Sequence, residues 1–201
     1  MIVAALWQPA VAAADDPVIP PEQFVYCTVC HGVQLKGNRV IEAPRLSAMA
    51  PWYAERQLLA FARGWRGTHE EDLYGMEMRP MAAALSAEEI RAAAGYVAVT
   101  ESAAPPPTVE GDLEKGRSLY ATSCAVCHGA DGSGVEALGG PALTVVNDWY
   151  LVRQLENFRA GIRGSHPDDA QGAQMRAAAQ VLPDDEAIRD VVAYINSLQN
   201  R

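Results

Sequence analysis

Two thiols three residues apart, followed at once by an imidazole, occur twice in this 201-residue chain. The copies are Cys27-Thr28-Val29-Cys30-His31 and Cys124-Ala125-Val126-Cys127-His128. The chemistry this spacing serves is covalent haem attachment. The two thiols add across the vinyl groups of haem and tie the macrocycle to the chain. The adjacent histidine is then held under the iron as its proximal ligand. A single Cys-x-x-Cys would suit a redox dithiol or half of a zinc site equally well. Two copies, each followed by His-Gly and together using all four cysteines of the chain, point instead to two haem c groups. The candidate attachment residues are Cys27, Cys30, Cys124 and Cys127; the candidate proximal ligands are His31 and His128.

Cys124 lies 97 residues after Cys27, and the same offset holds well beyond the motif. Gly32, Gly37, Pro44 and Leu46 meet Gly129, Gly134, Pro141 and Leu143. Trp52-Tyr53 and Arg56-Gln57-Leu58 meet Trp149-Tyr150 and Arg153-Gln154-Leu155. Phe61, Gly64, Arg66, Gly67 and His69 meet Phe158, Gly161, Arg163, Gly164 and His166. Met78-Arg79 and Leu85 meet Met175-Arg176 and Leu182, after which one inserted residue shifts the register. One unit has been duplicated, with one haem per copy. Two copies are too few for a solenoid, so each is a small domain.

The elements that must hold these groups are helical, because no alternating apolar pattern is bounded by hairpin turns. Leu113 to Tyr120 is an amphipathic stretch leading into Cys124. A second helix is expected from Asp148 as N-cap, with Trp149, Val152, Leu155 and Phe158 on one face. The last helix has Pro183 near its start and Asp184, Asp185 and Glu186 in its first turn, which suits the helix dipole. Domain one repeats these as Trp52–Phe61 and Ser86–Val99, with Ser86 and Glu89 as a capping box. The three prolines of Ala103-Ala104-Pro105-Pro106-Pro107-Thr108 make a stiff spacer. The expected divisions are 15–102 for domain one, 103–109 for the linker and 110–201 for domain two. Residues 1–14, with the apolar run Ile2–Trp7 and Ala12-Ala13-Ala14, read as a signal-peptide remnant. An uncleaved anchor giving membrane association is the alternative; Pro9 interrupts the run and it is too short for a full span. Export suits covalent haem attachment, which bacteria carry out outside the cytoplasm, so a periplasmic location is expected.

Both halves are acidic, with 8 Lys/Arg against 12 Asp/Glu before the linker and 8 against 13 after it. No basic run exists, which argues against nucleic acid as a partner. The acidity fits a redox partner with a basic docking face; solubility alone would explain it as well.

Each half resembles a class I cytochrome c domain: a helix, Cys-x-x-Cys-His, loops, an axial methionine and a C-terminal helix. The tandem is similar to the di-haem cytochrome c4 family. That resemblance implies an all-α fold of two domains about a pseudo-two-fold axis, with haem propionate edges facing each other. The family's Gly-x-x-x-aromatic of the first helix is present in domain two as Gly116 and Tyr120, facing Tyr194. Domain one departs from it with Ile19 and Gln23, so a first helix of one or two turns is expected there.

The sixth iron ligand decides the chemistry. Domain one offers Met76, Met78 and Met81, whereas domain two offers Met175 alone in this region. The repeat pairs Met78 with Met175, and leaves Met76 opposite Ala173 and Met81 opposite Ala178. A thioether opposite histidine favours ferrous iron and raises the potential relative to two histidines. His69 and His166 are the competing ligands; otherwise they lie in the polar loop before the methionine. The resemblance implies that the carbonyls of Pro44 and Pro141 accept from the proximal histidines and fix their basicity. Trp52, Trp149, Tyr53 and Tyr150 are candidates to wall the haem. Arg66 and Arg163, or Arg56 and Arg153, are candidates to pair with propionates.

The function these residues imply is single-electron transfer, not catalysis. An exported di-haem carrier would shuttle electrons between a respiratory donor protein and a terminal oxidase or reductase. The runner-up is the cytochrome subunit of a periplasmic or membrane-bound dehydrogenase complex. A di-haem enzyme such as a peroxidase needs an open iron position, and duplicated methionines argue against one.

Overall fold

The computed structural model describes residues 19–199. Among them are nine α-helices and no β-strand, only the isolated bridges Asn38–Ala43 and Val135–Gly140, which are themselves repeat mates. Domain one contains α1 (Val25–His31), α2 (Pro51–Ala62), α3 (Leu73–Ala83) and α4 (Ala87–Val99). Domain two contains α5 (Leu113–Ser123), α6 (Ala125–His128), α7 (Asp148–Ala160), α8 (Ala170–Ala179) and α9 (Asp185–Leu198). The molecule is all-α, with two copies of one unit about a pseudo-two-fold axis. No described helix is long and apolar enough to cross a membrane. The apolar run at residues 2–7 lies outside the described residues.

Local chemistry sets the helix ends. Pro51 opens α2, where its missing N–H loses no bond. Ser86 and Glu89 form the capping box of α4, satisfying two otherwise orphaned backbone donors. Asp72 and Asp169, repeat mates, cap α3 and α8 by accepting from Gly75 and Gly172. Two helix starts are displaced from where the sequence suggests, α7 one residue earlier and α9 one or two residues later. Asn147, not Asp148, is the N-cap of α7, and Asp184, not Pro183, opens α9 by accepting from the Ala187 N–H. Asp148 is instead drawn into the core to accept from Thr108, Val109 and Asn196. The methionine regions are also helical in both domains, as α3 and α8.

In domain two α5 crosses α9 where Gly116 faces the backbone of Asp190; a Cβ at Gly116 would overlap the Asp190 carbonyl. That close approach puts Tyr120 against Tyr194, ring centroids 5.5 Å apart. Domain one solves the same problem differently. Its chain enters through a 3-10 turn, Glu22–Phe24, and Phe24 stacks on Tyr96 at 4.7 Å. The aromatic thus sits one position after Gln23, the residue opposite Tyr120 in the repeat register.

Candidate haem sites

Each attachment motif ends a helix, α1 in domain one and α6 in domain two, and each ends at a glycine with positive φ: Gly32 at 78° and Gly129 at 80°. A side chain is strained there, and the turn carries the chain away from the histidine. His31 and His128 are both buried. Nδ1 of His31 donates to the Pro44 carbonyl at 2.7 Å, and Nδ1 of His128 to the Pro141 carbonyl at 2.8 Å. A carbonyl can only accept, so the proton sits on Nδ1 and the Nε2 lone pair is free for a metal. Burial holds both imidazoles below their ordinary pKa, against the opposing effect of the proline carbonyls, which keeps that lone pair available at neutral pH.

The thiols behave unlike a redox dithiol. Burial pushes the Cys124 thiol up to about 11 and raises that of Cys27 as well. Reactive Cys-x-x-Cys centres need the opposite shift. Nor does any group of three or more His, Cys, Asp or Glu among the described residues suit a metal ion held by protein alone.

Domain two carries a cleft of about 1400 Å³, its open mouth included. Cys124, Cys127, His128 and Met175 all line it, so the four residues that the repeat singles out meet in one space. Tyr53, Arg56, Gln57 and Trp65 of domain one complete the wall, so the cleft opens onto the domain boundary. In domain one Met76 and Met81 are exposed, at 46% and 47%. Met78, the repeat mate of Met175, is half-buried.

The arginines proposed for propionates gather at the domain boundary. Arg66 donates to Gln57 at 3.0 Å, and across the boundary to Tyr150 and Gln154, both at 2.9 Å. Arg163 mirrors it, donating to Gln154 at 2.7 Å, and across the boundary to Gln57 at 2.7 Å and Tyr53 at 3.5 Å. Both guanidinium groups are buried, and all these partners are neutral. A buried cation without a counter-charge is costly, and Nε of Arg66 is buried with no partner. Haem propionates would supply the missing charge, so the residues present fit the group. The tyrosine feels the same cations: burial pushes the Tyr150 phenol up, but Arg66 and Arg163 outweigh it and the net shift is down.

The remaining candidates make other contacts. Trp149 is absent from the cleft wall and is covered by the guanidinium groups of Arg39 and Arg153, 5.0 and 5.5 Å from its ring. Trp52 packs edge-on against Tyr53 at 5.6 Å, under Arg56. Arg153 pairs with Glu42 of domain one, and Arg56 with Gln171 of domain two. His69 and His166 each accept, at Nδ1, the N–H two residues on, from Glu71 and Asp168 at 3.2 Å. His166 also stacks on Trp65 at 5.9 Å. Gln57 and Gln154 were not singled out by sequence reasoning. Their pairing at the 97-residue offset was visible, but nothing local says that they face each other.

A family model for cytochrome c matches residues 22–101 and again 113–199. The chain belongs to the cytochrome c family. It carries two covalently bound haem c groups, one on each attachment motif, and is a di-haem electron carrier. A relative 33% identical over 182 residues is the thiosulfate dehydrogenase electron acceptor of Stutzerimonas stutzeri (strain A1501). The match spans 84% of this chain and 76% of that one. Reduced cytochrome c4 from Pseudomonas stutzeri superposes with a TM-score of 0.68 at 25% identity, over 86% of this chain and 93% of that one. Thiosulfate dehydrogenase from Marichromatium purpuratum superposes with a TM-score of 0.65 at 27% identity, over 84% of this chain but 35% of its own.

Proposed function

We propose that this cytochrome shuttles single electrons in the periplasm, from a dehydrogenase to a terminal oxidase or reductase, and catalyses no reaction of its own. His31 with Met78, and His128 with Met175, would hold the two haem irons. Bound haem supplies the one-electron ferric–ferrous couple. The chain's residues would ligate each iron, keep the proximal imidazoles neutral and set propionate charge against Arg66 and Arg163. The observation that carries this reading is the meeting of His128, Met175 and both cysteines in one cleft. With a histidine and a methionine as ligands of each iron, no position would be left for a substrate.

The name of the Stutzerimonas relative makes a thiosulfate dehydrogenase the donor to test first. A second reading, as a permanent subunit of such an enzyme, is favoured by the match to about a third of the longer Marichromatium chain. Purified dehydrogenase, thiosulfate and this cytochrome should give rapid reduction of both haems, with no binding of added carbon monoxide or cyanide under native conditions. Reduction no faster than with thiosulfate alone removes that donor. Ready binding of either ligand removes the closed-site reading. Copurification of dehydrogenase and cytochrome from native membranes or periplasm supports the permanent complex.

A further inference from the structure

The peptide group between Pro44 and Arg45 is hydrogen-bonded at both ends. Its carbonyl accepts from Nδ1 of His31 at 2.7 Å, and its N–H donates to Oδ1 of Asn147 at 2.6 Å. Asn147 belongs to domain two, and the contact is buried. It stands at the N-cap of α7, where an asparagine ordinarily accepts from its own helix, yet its side chain makes no capping bond. The carboxamide is turned onto the histidine loop of the other domain instead.

Several features hold this arrangement in place. A Cβ at Gly37 would come within 2.8 Å of Asn147 Oδ1 and 2.6 Å of Arg45 N, so glycine leaves room for the carboxamide. Arg45 as a residue is 4% exposed. It donates to the carbonyls of Val145 at 2.5 Å and Ser102 at 2.8 Å, which keeps the peptide plane from swinging. The second copy keeps the glycine, as Gly134 with a Cβ position 2.6 Å from Ala142 N, but lacks both the arginine and the asparagine. His128 donates to Pro141 in the same way, but Ala142 replaces Arg45 and its N–H has no protein acceptor among the described residues. Ala50 stands where domain two has Asn147.

We infer that Asn147 is a positioning residue for the proximal histidine of the other domain, acting on haem one through a single peptide group. Accepting at the N–H polarises the peptide, and its carbonyl becomes a stronger acceptor; such coupling is estimated at about 10–30% per bond. A stronger bond at Nδ1 makes His31 a more basic iron ligand. A more basic ligand favours ferric iron, so haem one is held harder to reduce and the first electron is biased toward haem two. The inference rests on His31 being the proximal ligand of haem one.

The test uses the full-length holoprotein with ¹⁵N-labelled histidine. In Asn147→Ala the electron of half-reduced protein should shift several-fold toward haem one. The His31 Nδ1–H resonance of the reduced protein should move upfield, while that of His128 stays. Asn147→Asp keeps the acceptor and adds negative charge, so it should shift the electron toward haem two. An unchanged His31 resonance with unchanged partition in Asn147→Ala overturns the inference, as does a shift of the same sign in both variants. In the oxidised wild type, an iron-bound His31 has ring nitrogens shifted and broadened by the unpaired electron. If they are not, the ligand assignment itself falls, and the inference with it.

Discussion

The two halves differ most at the entry to their first helix and in how it packs on the last. In domain two, α5 is a full helix of 11 residues crossing α9, and α9 buries ten of its own side chains. In domain one, the corresponding entry is a 3-10 turn leading into the seven-residue α1, and α4 buries four. The histidine–proline bonds are nearly equal in the two halves, 2.7 against 2.8 Å. Duplication has thus kept the geometry facing the iron and let the scaffold behind it drift. Part of the support for domain one has moved into domain two, through Arg66 on Tyr150 and Gln154 and through Asn147 on Arg45.

If the iron geometry is truly common to both halves, the methionines should behave alike. Met78→Ala and Met175→Ala should each abolish the methionine-to-iron charge-transfer band of one ferric haem, lower that haem's potential and admit carbon monoxide. Met76→Ala and Met81→Ala should leave spectrum and potential unchanged. A silent Met78→Ala alongside an active Met76→Ala or Met81→Ala would show that the repeat register fails in domain one.

The next contrast lies in the scaffold. Phe24→Ala removes the buried aromatic that stacks on Tyr96, and loss of a buried Phe costs about 3–5 kcal/mol. Domain one should lose stability on that scale while the methionine band of haem two survives. Denaturation followed at the two haems separately checks this; equal loss in both halves would mean that they unfold as one unit.

Asp148 sharpens the comparison from the other side, because domain one has Pro51 in its place. Burial raises the Asp148 carboxyl, but bonds from Thr108, Val109 and Asn196 outweigh it, and the net shift is down. A carboxyl depressed in the folded state contributes stability above its unfolded pKa, about 3.9, and loses it as pH falls through the folded value. Asp148→Asn should therefore destabilise domain two at pH 7 by about 1.5–3 kcal/mol, the scale of hydrogen bonds to a charged group. The gap from wild type should narrow as the pH falls below about 4. Chemical denaturation at the two pH values measures it; a gap that is the same at both excludes the carboxylate.

Much of the candidate site is legible in the sequence because it is local or duplicated. The Cys-x-x-Cys-His motifs lie within five residues, and His31 reaches Pro44 along one short loop. The domain boundary is not legible in that way. The repeat says that Arg66 and Arg163 are equivalent, but it cannot say that each points at the other's domain. Phe24 escapes the register because the 3-10 turn displaces it by one position. Trp149 looks like a haem wall by its pairing with Trp52, yet two arginines from different domains cover it. Asn147 and Arg45 leave one usable trace: both are polar where the other copy has alanine, and both are buried.

The smallest expected effect concerns surface charge. Both halves are acidic by count, and screening acts over about 10 Å at 0.1 M salt. Electron transfer to a cationic reagent should slow with ionic strength, and transfer to an anionic one should quicken. Flat salt dependence with both would mean that the acidic residues sit away from the haem edges.

The claim that each half holds its iron between one histidine and one methionine is tested most directly by a redox titration of the wild-type holoprotein, followed at the methionine-to-iron charge-transfer band. Two one-electron steps are expected, with band intensity for two methionine-ligated ferric haems that disappears across both. Half that intensity, with one step at a much lower potential, would contradict it and turn attention to His69 or His166.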